Sequence, residues 1–263
     1  KKPFFSIITP VLNGEKYVDS FVKALLSQTF KNWECILIND GSEDNSFHLL
    51  NSKIKNDIRF KVVKSNTENK VIKSPYLARN KGLDIAKGIY VCFLDIDDYW
   101  LPSKLSQEYK LIKEKRYPEI IIGSYIKANK KLSLGYRKPR FNFIPMKIQI
   151  KIWNSCPLLA TTIINTKIKS TRFEAIFHED YRFWYLILKK INSKRIAIND
   201  ACNCLYRSSP NSQSSNKFKA AIWIFKCYKS FKYSNLICLL LLFIKIMAEL
   251  IEKFLVYSGS IRR

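Results

Sequence analysis

Short apolar runs alternate with longer amphipathic stretches over the first 125 residues, and this alternation constrains the fold most. Four runs have the length and the content of strands: 4–9, Trp33–Asn39, Phe60–Lys64 and 89–94. Two stretches, 17–28 and 76–86, have the periodicity of helices. Strands that alternate with helices form a parallel sheet with helices on both faces. We therefore predict an α/β fold with a Rossmann-like, mostly parallel sheet flanked by helices.

The regular alternation ends near residue 125. Residues 126–152 contain eight Lys or Arg, no acid and three chain breakers, which indicates a long basic connection. Further elements are predicted as a strand over 158–164, a helix over 178–190, short strands over 195–199 and 201–206, and a helical extension after a polar loop at 208–216. We therefore expect the second half to be less regular than the first.

Lys and Arg outnumber Asp and Glu by 46 to 21, so the formal net charge is +25. A disordered basic tail is excluded because 47% of the residues are apolar and 14% are aromatic. The charge predicts an anionic partner or an anionic surface. Seven cysteines, an odd number in apolar stretches, argue against a disulfide framework and favour a reducing cytosol.

Three carboxylates follow the predicted strand at 89–94: Asp95, Asp97 and Asp98. Carboxylates this close repel one another unless a positive group neutralises them. A divalent cation with oxygen ligands, Mg²⁺ or Mn²⁺, would do so and would hold the phosphates of a nucleotide. The alternative is a solvated turn that caps the following helix. Chemistry alone leaves both interpretations open.

Five motifs occur in an order and spacing that resemble the family 2 glycosyltransferases. They are FSIITPVLN at 5–13, LINDGS at 37–42, ARN with Gly82 at 78–82, AKGIY at 86–90 and FLDIDDYWLPSKL at 93–105. The similarity extends from Phe5 to about Gln213. It implies a GT-A fold, a nucleotide-diphosphosugar donor, a divalent metal (Mn²⁺ or Mg²⁺) and transfer with inversion. It also implies a donor-binding half at 1–125 and an acceptor-binding, catalytic half at 126–215, followed by the helical tail at 216–263.

The resemblance assigns the nucleobase side of the donor site to the first two strands. Thr9, Pro10 and Asn13 match the loop that packs on the base, with Glu15 close by, and Asp40 matches the acid that contacts the base. Taken singly, each has a structural alternative, because these residue types also end strands and form turns.

The diphosphate side is assigned to the next two elements. Arg79 matches the basic position near the diphosphate, although an arginine on a helix is most often solvated. Asp95 and Asp97 match the DXD motif, in which the first carboxylate faces the ribose and the second faces the metal. Asp98 is expected to orient them.

The second half supplies the predicted base. His178, Glu179 and Asp180 open an amphipathic helix, and an inverting transfer needs a carboxylate near the acceptor hydroxyl. By the resemblance Asp180 is that base, Glu179 is its neighbour and His178 is not catalytic. The structural alternative is an acidic helix start favoured by the macrodipole. Arg207 matches a loop over the donor phosphates, in which Ser209 replaces the family's histidine.

The tail from 217 to 263 carries nine Lys or Arg and two acids around an apolar stretch at 236–244 that is too short to span a bilayer. One interpretation is an amphipathic helix on an anionic membrane. The other is a helix that packs on the core or pairs with a second copy in a homo-oligomer. We expect a cytoplasmic enzyme, peripheral on the inner face of the plasma membrane.

The resulting hypothesis is a glycosyltransferase of cell-surface polysaccharide or glycolipid synthesis, with a UDP-sugar donor and a glycan or lipid-linked acceptor. A nucleotidyltransferase or an inactive nucleotide-sugar binder is the first alternative. A nucleic-acid-binding protein is the second, suggested by the charge, but no nucleic-acid motif is recognisable.

Overall fold

One mixed sheet of nine strands organises the molecule. The computed structural model describes residues 2–65, 75–128, 135–137, 158–176, 178–207 and 217–257. The strands are β1 Phe5–Val11, β2 Trp33–Asn39, β3 Phe60–Lys64, β4 Tyr90–Phe93, β5 Tyr99–Trp100, β6 Ile120–Ala128, β7 Gly135–Arg137, β8 Ile163–Asn165 and β9 Ile196–Arg207. The α-helices are α1 Val18–Leu26, α2 Ser46–Ile54, α3 Tyr76–Ile85, α4 Lys104–Glu114, α5 Glu179–Lys190, α6 Lys217–Ser230 and α7 Asn235–Tyr257.

The strand order is β3-β2-β1-β4-β8-β6-β9-β5, and β7 pairs with β6. The first four strands of that order are parallel to one another. Beyond β4 the sheet is mixed, because β8 runs antiparallel to both β4 and β6, whereas β6 and β9 are parallel. The predicted α/β fold is confirmed, and its parallel part is the half with the regular sequence alternation.

Helices cover both faces of the sheet. One apolar cluster joins side chains of β1 and β2 to Phe21 and Leu25 of α1 and Leu105 of α4. The other joins the opposite faces of the same strands to Leu83 of α3 and Trp184 of α5. All seven residues of β1 are buried, as expected of a central strand covered on both sides.

Three details differ from the predicted elements. Helix α2 was not predicted, because its sequence has weak periodicity and buries only Ser46, Leu50 and Ile54. The strand predicted over 158–164 begins as a 3-10 turn, since the Thr161 and Thr162 hydroxyls donate back to the Leu158 carbonyl at 3.1 and 2.8 Å. The two short strands predicted over 195–206 form one strand, β9, whose register against β6 shifts midway.

The C-terminal helices α6 and α7 pack beside α5. Tyr228 of α6 is fully buried in the second cluster, and Cys238, Leu241 and Leu242 of α7 contact the same cluster. Arg182 of α5 donates through Nη1 to the Ser230 carbonyl at 3.0 Å, which joins α5 to the end of α6. Among the described residues, no helix combines the length and the apolarity that crossing a membrane requires.

Candidate active site

The carboxyl ends of β1, β2 and β4 meet at one edge of the sheet, because these strands are parallel. The chain moves outward from β1 to β3 and then returns to β4 on the other side of β1. Such a reversal opens a crevice at the carboxyl ends of the strands. Asn13, Asp40 and Asp95 follow these three strands, so the structure brings the predicted polar residues to one crevice.

The loops after β1 and β2 are tied together by hydrogen bonds. Asn13 adopts a left-handed backbone conformation (φ 49°), and its Oδ1 accepts from the Glu43 N–H at 2.9 Å. The Glu15 N–H donates to Oδ2 of Asp44 at 3.0 Å, and the Glu15 carboxylate accepts from the Asn45 N–H at 3.3 Å. Asn13 and Glu15 are exposed, and their hydrogen bonds fix the conformation of the loop after β1.

The other predicted residues of this side lie deeper. Thr9 and Pro10 are buried within β1, and Asp40 is buried directly after β2. The Asp40 N–H donates to the Val11 carbonyl at 2.9 Å, which continues the pairing of β1 with β2. The backbone of Asp40 is thus fixed at the ends of the two strands.

The aspartate cluster occupies the tight turn between β4 and β5. The Asp98 N–H donates to the Asp95 carbonyl at 3.1 Å, and Asp98 Oδ1 accepts from the Arg207 N–H at 3.3 Å. Asp98 is therefore tied to the end of β9 and is buried, whereas Asp95 and Asp97 are partly exposed. The two partly exposed carboxylates are the ones that a ligand can reach.

Burial and mutual repulsion disfavour the ionised forms of two carboxylates in the cluster. Burial raises the pKa of Asp98 well above its usual range, and repulsion from Asp95 and Asp97 adds to the effect. Burial and repulsion from Asp95 also raise the pKa of Asp97. A bound cation would relieve the part of both shifts that comes from repulsion.

A buried arginine joins this cluster to the second half of the chain. Arg79 on α3 is 4% exposed, and its Nη2 donates to Oδ1 and Oδ2 of Asp95 at 3.0 and 3.2 Å. Its Nη1 donates to Oε1 of Glu179 at 2.7 Å. Burial acts to lower the pKa of Arg79, but Asp95 and Glu179 outweigh it and raise that pKa. The structural alternative of a solvated arginine is wrong, since the Arg79 guanidinium is buried between Asp95 and Glu179.

Glu179 and Asp180 form the first turn of α5, where the helix dipole favours negative charge. His178 precedes them in a left-handed conformation (φ 58°, ψ 47°), which turns the chain into the helix. Oδ1 of Asp180 accepts from the Tyr181 N–H at 2.8 Å. Burial raises the pKa of Glu179; Arg79 lowers it and Asp180 raises it further. Asp180 is partly exposed and is close enough to Arg79 to raise the pKa of that guanidinium, so it lies near the residue that contacts Asp95.

Residues 6–213 match the family model described as Glycosyl transferase family 2. This match covers most of the chain. The chain belongs to glycosyl transferase family 2. It is therefore a glycosyltransferase, as the motifs in its first half predict.

Two relatives of this family 2 enzyme illustrate the similarity. An uncharacterised glycosyltransferase of Haemophilus influenzae is 34% identical over 86% of this chain and 88% of its own length. The UDP-Glc:alpha-D-GlcNAc-diphosphoundecaprenol beta-1,3-glucosyltransferase WfgD of Escherichia coli is 31% identical over 81% of each chain. The similarity thus extends through both halves of the fold.

Solved structures identify the architecture as the GT-A fold. S. aureus TarS 1–349 in complex with UDP-GlcNAc superimposes with a TM-score of 0.67 at 20% identity, over 93% of this chain and 72% of that one. The mannosyltransferase PcManGT from Pyrobaculum calidifontis, in complex with GDP-Man and Mn²⁺, gives a TM-score of 0.65 at 13% identity, over 99% and 77%. The predicted fold class is confirmed.

The aspartate cluster of this glycosyltransferase suits a hard divalent cation. Its ligand atoms are carboxylate oxygens, which Mg²⁺ and Mn²⁺ prefer, and repulsion between carboxylates contributes to the raised pKa values of Asp97 and Asp98. Within the described ranges, no three His, Cys, Asp or Glu side chains form a complete metal-binding group. Mg²⁺ commonly takes one or two carboxylates and completes its shell with water and substrate phosphates, so the residues present fit a metal that arrives with the donor.

Sequence reasoning missed neighbours that the tail brings to the predicted base. The Trp223 ring of α6 lies 6.1 Å from the His178 ring. Burial lowers the pKa of His178, Asp180 raises it, and Lys245 of α7 lowers it further. The contacts of the tail confirm the alternative in which it packs on the core. No motif in the sequence connects Trp223 or Lys245 to the site.

Arg207 lies at the end of β9 with its side chain exposed. Its guanidinium carbon is 5.0 Å from the centroid of the Tyr17 ring, close to the loop after β1. The structure therefore places Arg207 across the crevice mouth, between that loop and Asp98. Its following loop, with Ser209, and most of the basic segment 126–152 lie outside the described residues.

Proposed function

We propose that this enzyme transfers a sugar from a UDP-sugar to a hydroxyl of a glycan or lipid-linked acceptor, with inversion at the anomeric carbon. The observation that carries the proposal is the double ion pair of Arg79, which unites Asp95 and Glu179. These ion pairs support a site in which the aspartates after β4 lie close to the first turn of α5, which carries Asp180. A transfer reaction needs that proximity between the leaving diphosphate and the base.

The donor occupies the crevice between β1 and β4 in this proposal. The nucleobase binds against the end of β1 and the loop that follows it, at Thr9, Pro10, Asn13 and Glu15. Asp40 accepts a hydrogen bond from the edge of the base. The rigid hydrogen bonding between the two loops supports this role, because a preformed wall loses little entropy when the base binds.

The diphosphate side is assigned to residues of β4, α3 and β9. Asp97, with Asp95, holds Mn²⁺ or Mg²⁺, and Asp98 fixes the turn that carries them. When bound, the metal neutralises charge on the leaving diphosphate. Arg207 offers a second positive group at the crevice mouth. Arg79 keeps Asp95 in place and supplies positive charge on the diphosphate side of the site.

Asp180 acts as the base in this proposal. Its carboxylate accepts the proton of the acceptor hydroxyl while that oxygen forms a bond to the anomeric carbon. The bond from the anomeric carbon to the diphosphate oxygen breaks, and the nucleoside diphosphate leaves with the bonding electron pair. Because attack and departure occur on opposite sides of the carbon, the configuration inverts.

The acceptor class and the location are further parts of the proposal. The similarity to WfgD, which is named for a diphosphoundecaprenol acceptor, supports a lipid-linked acceptor for this enzyme. Such an acceptor requires a peripheral position at a membrane, which we place on the cytoplasmic side. We propose that 1–125 binds the donor, that 126–215 binds the acceptor, and that 216–263 is a helical tail that packs beside α5.

A screen of UDP-sugars for metal-dependent hydrolysis tests the donor class. We expect one or more UDP-sugars to release UDP in the presence of Mn²⁺, and calorimetry to detect UDP binding more strongly than GDP or TDP binding. If calorimetry detects no binding of UDP, GDP or TDP, a nucleotide-sugar donor is refuted. Donor binding without transfer to any acceptor lipid would instead favour an inactive nucleotide-sugar binder.

Asp97→Asn is expected to weaken metal-dependent donor binding by at least about 10–100-fold, since the loss of an outer-shell partner alone costs that much affinity. Calorimetry of UDP with and without Mn²⁺ measures the effect. Asp84→Asn is the control, because Asp84 is exposed and pairs with Arg172 outside the site. Unchanged Mn²⁺ dependence in Asp97→Asn would remove this residue from the metal site.

A further inference from the structure

The outer face of α7 exposes a large apolar surface. Nine bulky apolar side chains between Leu236 and Leu250 are 36% to 78% exposed, and Leu236, Leu239, Leu240 and Phe243 are the most exposed of them. Monomeric soluble proteins rarely leave apolar side chains in a contiguous patch of this size, and such patches mark interaction sites.

The inner face of the same helix packs against the rest of the protein. Cys238, Leu241 and Leu242 contact the second apolar cluster, and Lys245 is 9% exposed on the same side. These positions recur at three- and four-residue intervals, so they define one stripe of the helix. The exposed side chains lie on the rest of its circumference, and the described residues of this chain do not cover them.

The exposed charged side chains on α6 and in the turn before α7 are positive. No Asp or Glu occurs between residues 217 and 248, whereas six lysines do. Lys226 and Lys229 on α6 and Lys232 in the turn before α7 are exposed. An exposed apolar helix face beside exposed cations is the composition of helices that lie in the interface of an anionic bilayer.

We propose that the outer face of α7, flanked by Lys226, Lys229 and Lys232, docks on an anionic lipid bilayer and lies in its surface. A second copy of the chain fits less well, because pairing two such faces would bring two sets of these three exposed lysines together. An anionic lipid surface neutralises those lysines and covers the apolar side chains at the same time.

The docking surface is mechanically connected to the helix of the proposed base. Arg182 of α5 donates to the Ser230 carbonyl at the end of α6, and Trp223 of α6 contacts the His178 ring. Docking would therefore hold Asp180 at a fixed distance from the bilayer. This inference deepens the proposed function, because it supplies the surface from which a lipid-linked acceptor would reach the base.

Co-sedimentation with vesicles of phosphatidylglycerol and phosphatidylcholine (3:7), and of phosphatidylcholine alone, tests the proposal. We expect the full chain to bind the anionic vesicles at least about tenfold more strongly than the neutral ones. Leu240→Glu/Phe243→Glu should lose at least about tenfold in binding. Ile58→Glu is the control, because Ile58 is fully exposed in the turn before β3, far from α7 in sequence.

Two further measurements distinguish membrane docking from misfolding of the first variant and from dimerisation through α7. Lys226→Glu/Lys229→Glu should bind anionic vesicles more weakly and leave the apolar face intact, so it tests docking if the first variant fails to fold. Analytical ultracentrifugation without lipid tests the second copy, and a dimer abolished by Leu240→Glu/Phe243→Glu would overturn the proposal. Wild-type vesicle binding by both variants would also overturn it. Release of UDP from a soluble UDP-sugar reports on the proposed function alone, since it needs no membrane.

Discussion

Asp180→Asn is expected to lower kcat for sugar transfer by about 10²- to 10⁴-fold, the range that general base catalysis contributes. The amide has the shape of the carboxylate and can still accept the Tyr181 N–H hydrogen bond at the start of α5. It cannot accept the proton of the acceptor hydroxyl. Donor affinity should therefore change less than about twofold, and the loss should appear in kcat and kcat/KM together.

Steady-state transfer assays and calorimetry with UDP measure these two quantities on the same preparation. Asp19→Asn is the matched control, because Asp19 is exposed and its contact with Lys53 at 2.7 Å lies on α1 and α2, away from the proposed base. A variant Asp180→Asn with wild-type kcat would exclude Asp180 as the base. A loss of donor binding equal to the loss of activity would assign the residue to donor binding instead.

Arg79→Met is expected to lower the free energy of unfolding by about 3–5 kcal/mol, the cost of removing one partner from a buried ion pair. Methionine fills much of the arginine volume but leaves Glu179, which is 8% exposed, without its compensating cation. It also releases Asp95, which both Nη2 contacts hold in place. Sugar transfer should fall by at least about tenfold, since misplacement of a site residue by 1 Å can cost 10²-fold.

Urea unfolding measures the stability effect, and Arg172→Met is the control. Arg172 forms an equally short ion pair with Asp84, 2.7 Å, but both side chains are exposed, so its loss should cost no more than about 1 kcal/mol. The double variant Arg79→Met/Glu179→Gln should recover part of the stability, because it removes the buried charge. Equal effects of Arg79→Met and Arg172→Met would show that burial of the Arg79 cluster has no energetic consequence.

The first half of the fold could be predicted because its strands are short apolar runs that alternate with helical stretches. Trp33–Asn39 and Phe60–Lys64 were predicted with the bounds that the structure shows. Helix α2 could not be predicted, because its N-terminus depends on tertiary hydrogen bonds. Asp44 accepts from Ser46 and from the Glu15 N–H of a distant loop. Two-residue strands such as β5 are too short to leave a periodic pattern.

The positions of the acidic residues in the crevice could be predicted from the sequence, but the ion pairs that join them could not. Each acidic residue of the crevice follows a predicted strand or begins a predicted helix, where sequence patterns carry information. The contact of Arg79 with Glu179 joins positions 100 residues apart, and a single sequence contains no signal of such a pairing. For the same reason the packing of Trp223 and Lys245 near His178 emerged only from the structure.

The 100-residue separation of Arg79 and Glu179 also sets an order of events during synthesis of the chain. Asp95 lies only 16 residues after Arg79, so this contact can form as soon as β4 leaves the ribosome. At about 5–20 residues per second, Glu179 follows Arg79 about 5–20 s later. We therefore expect ribosome-bound chains from which the residues up to β5 have emerged to resist proteolysis around α3 and β4. Susceptibility of α3 in those chains would show that both carboxylates are needed before the arginine is buried.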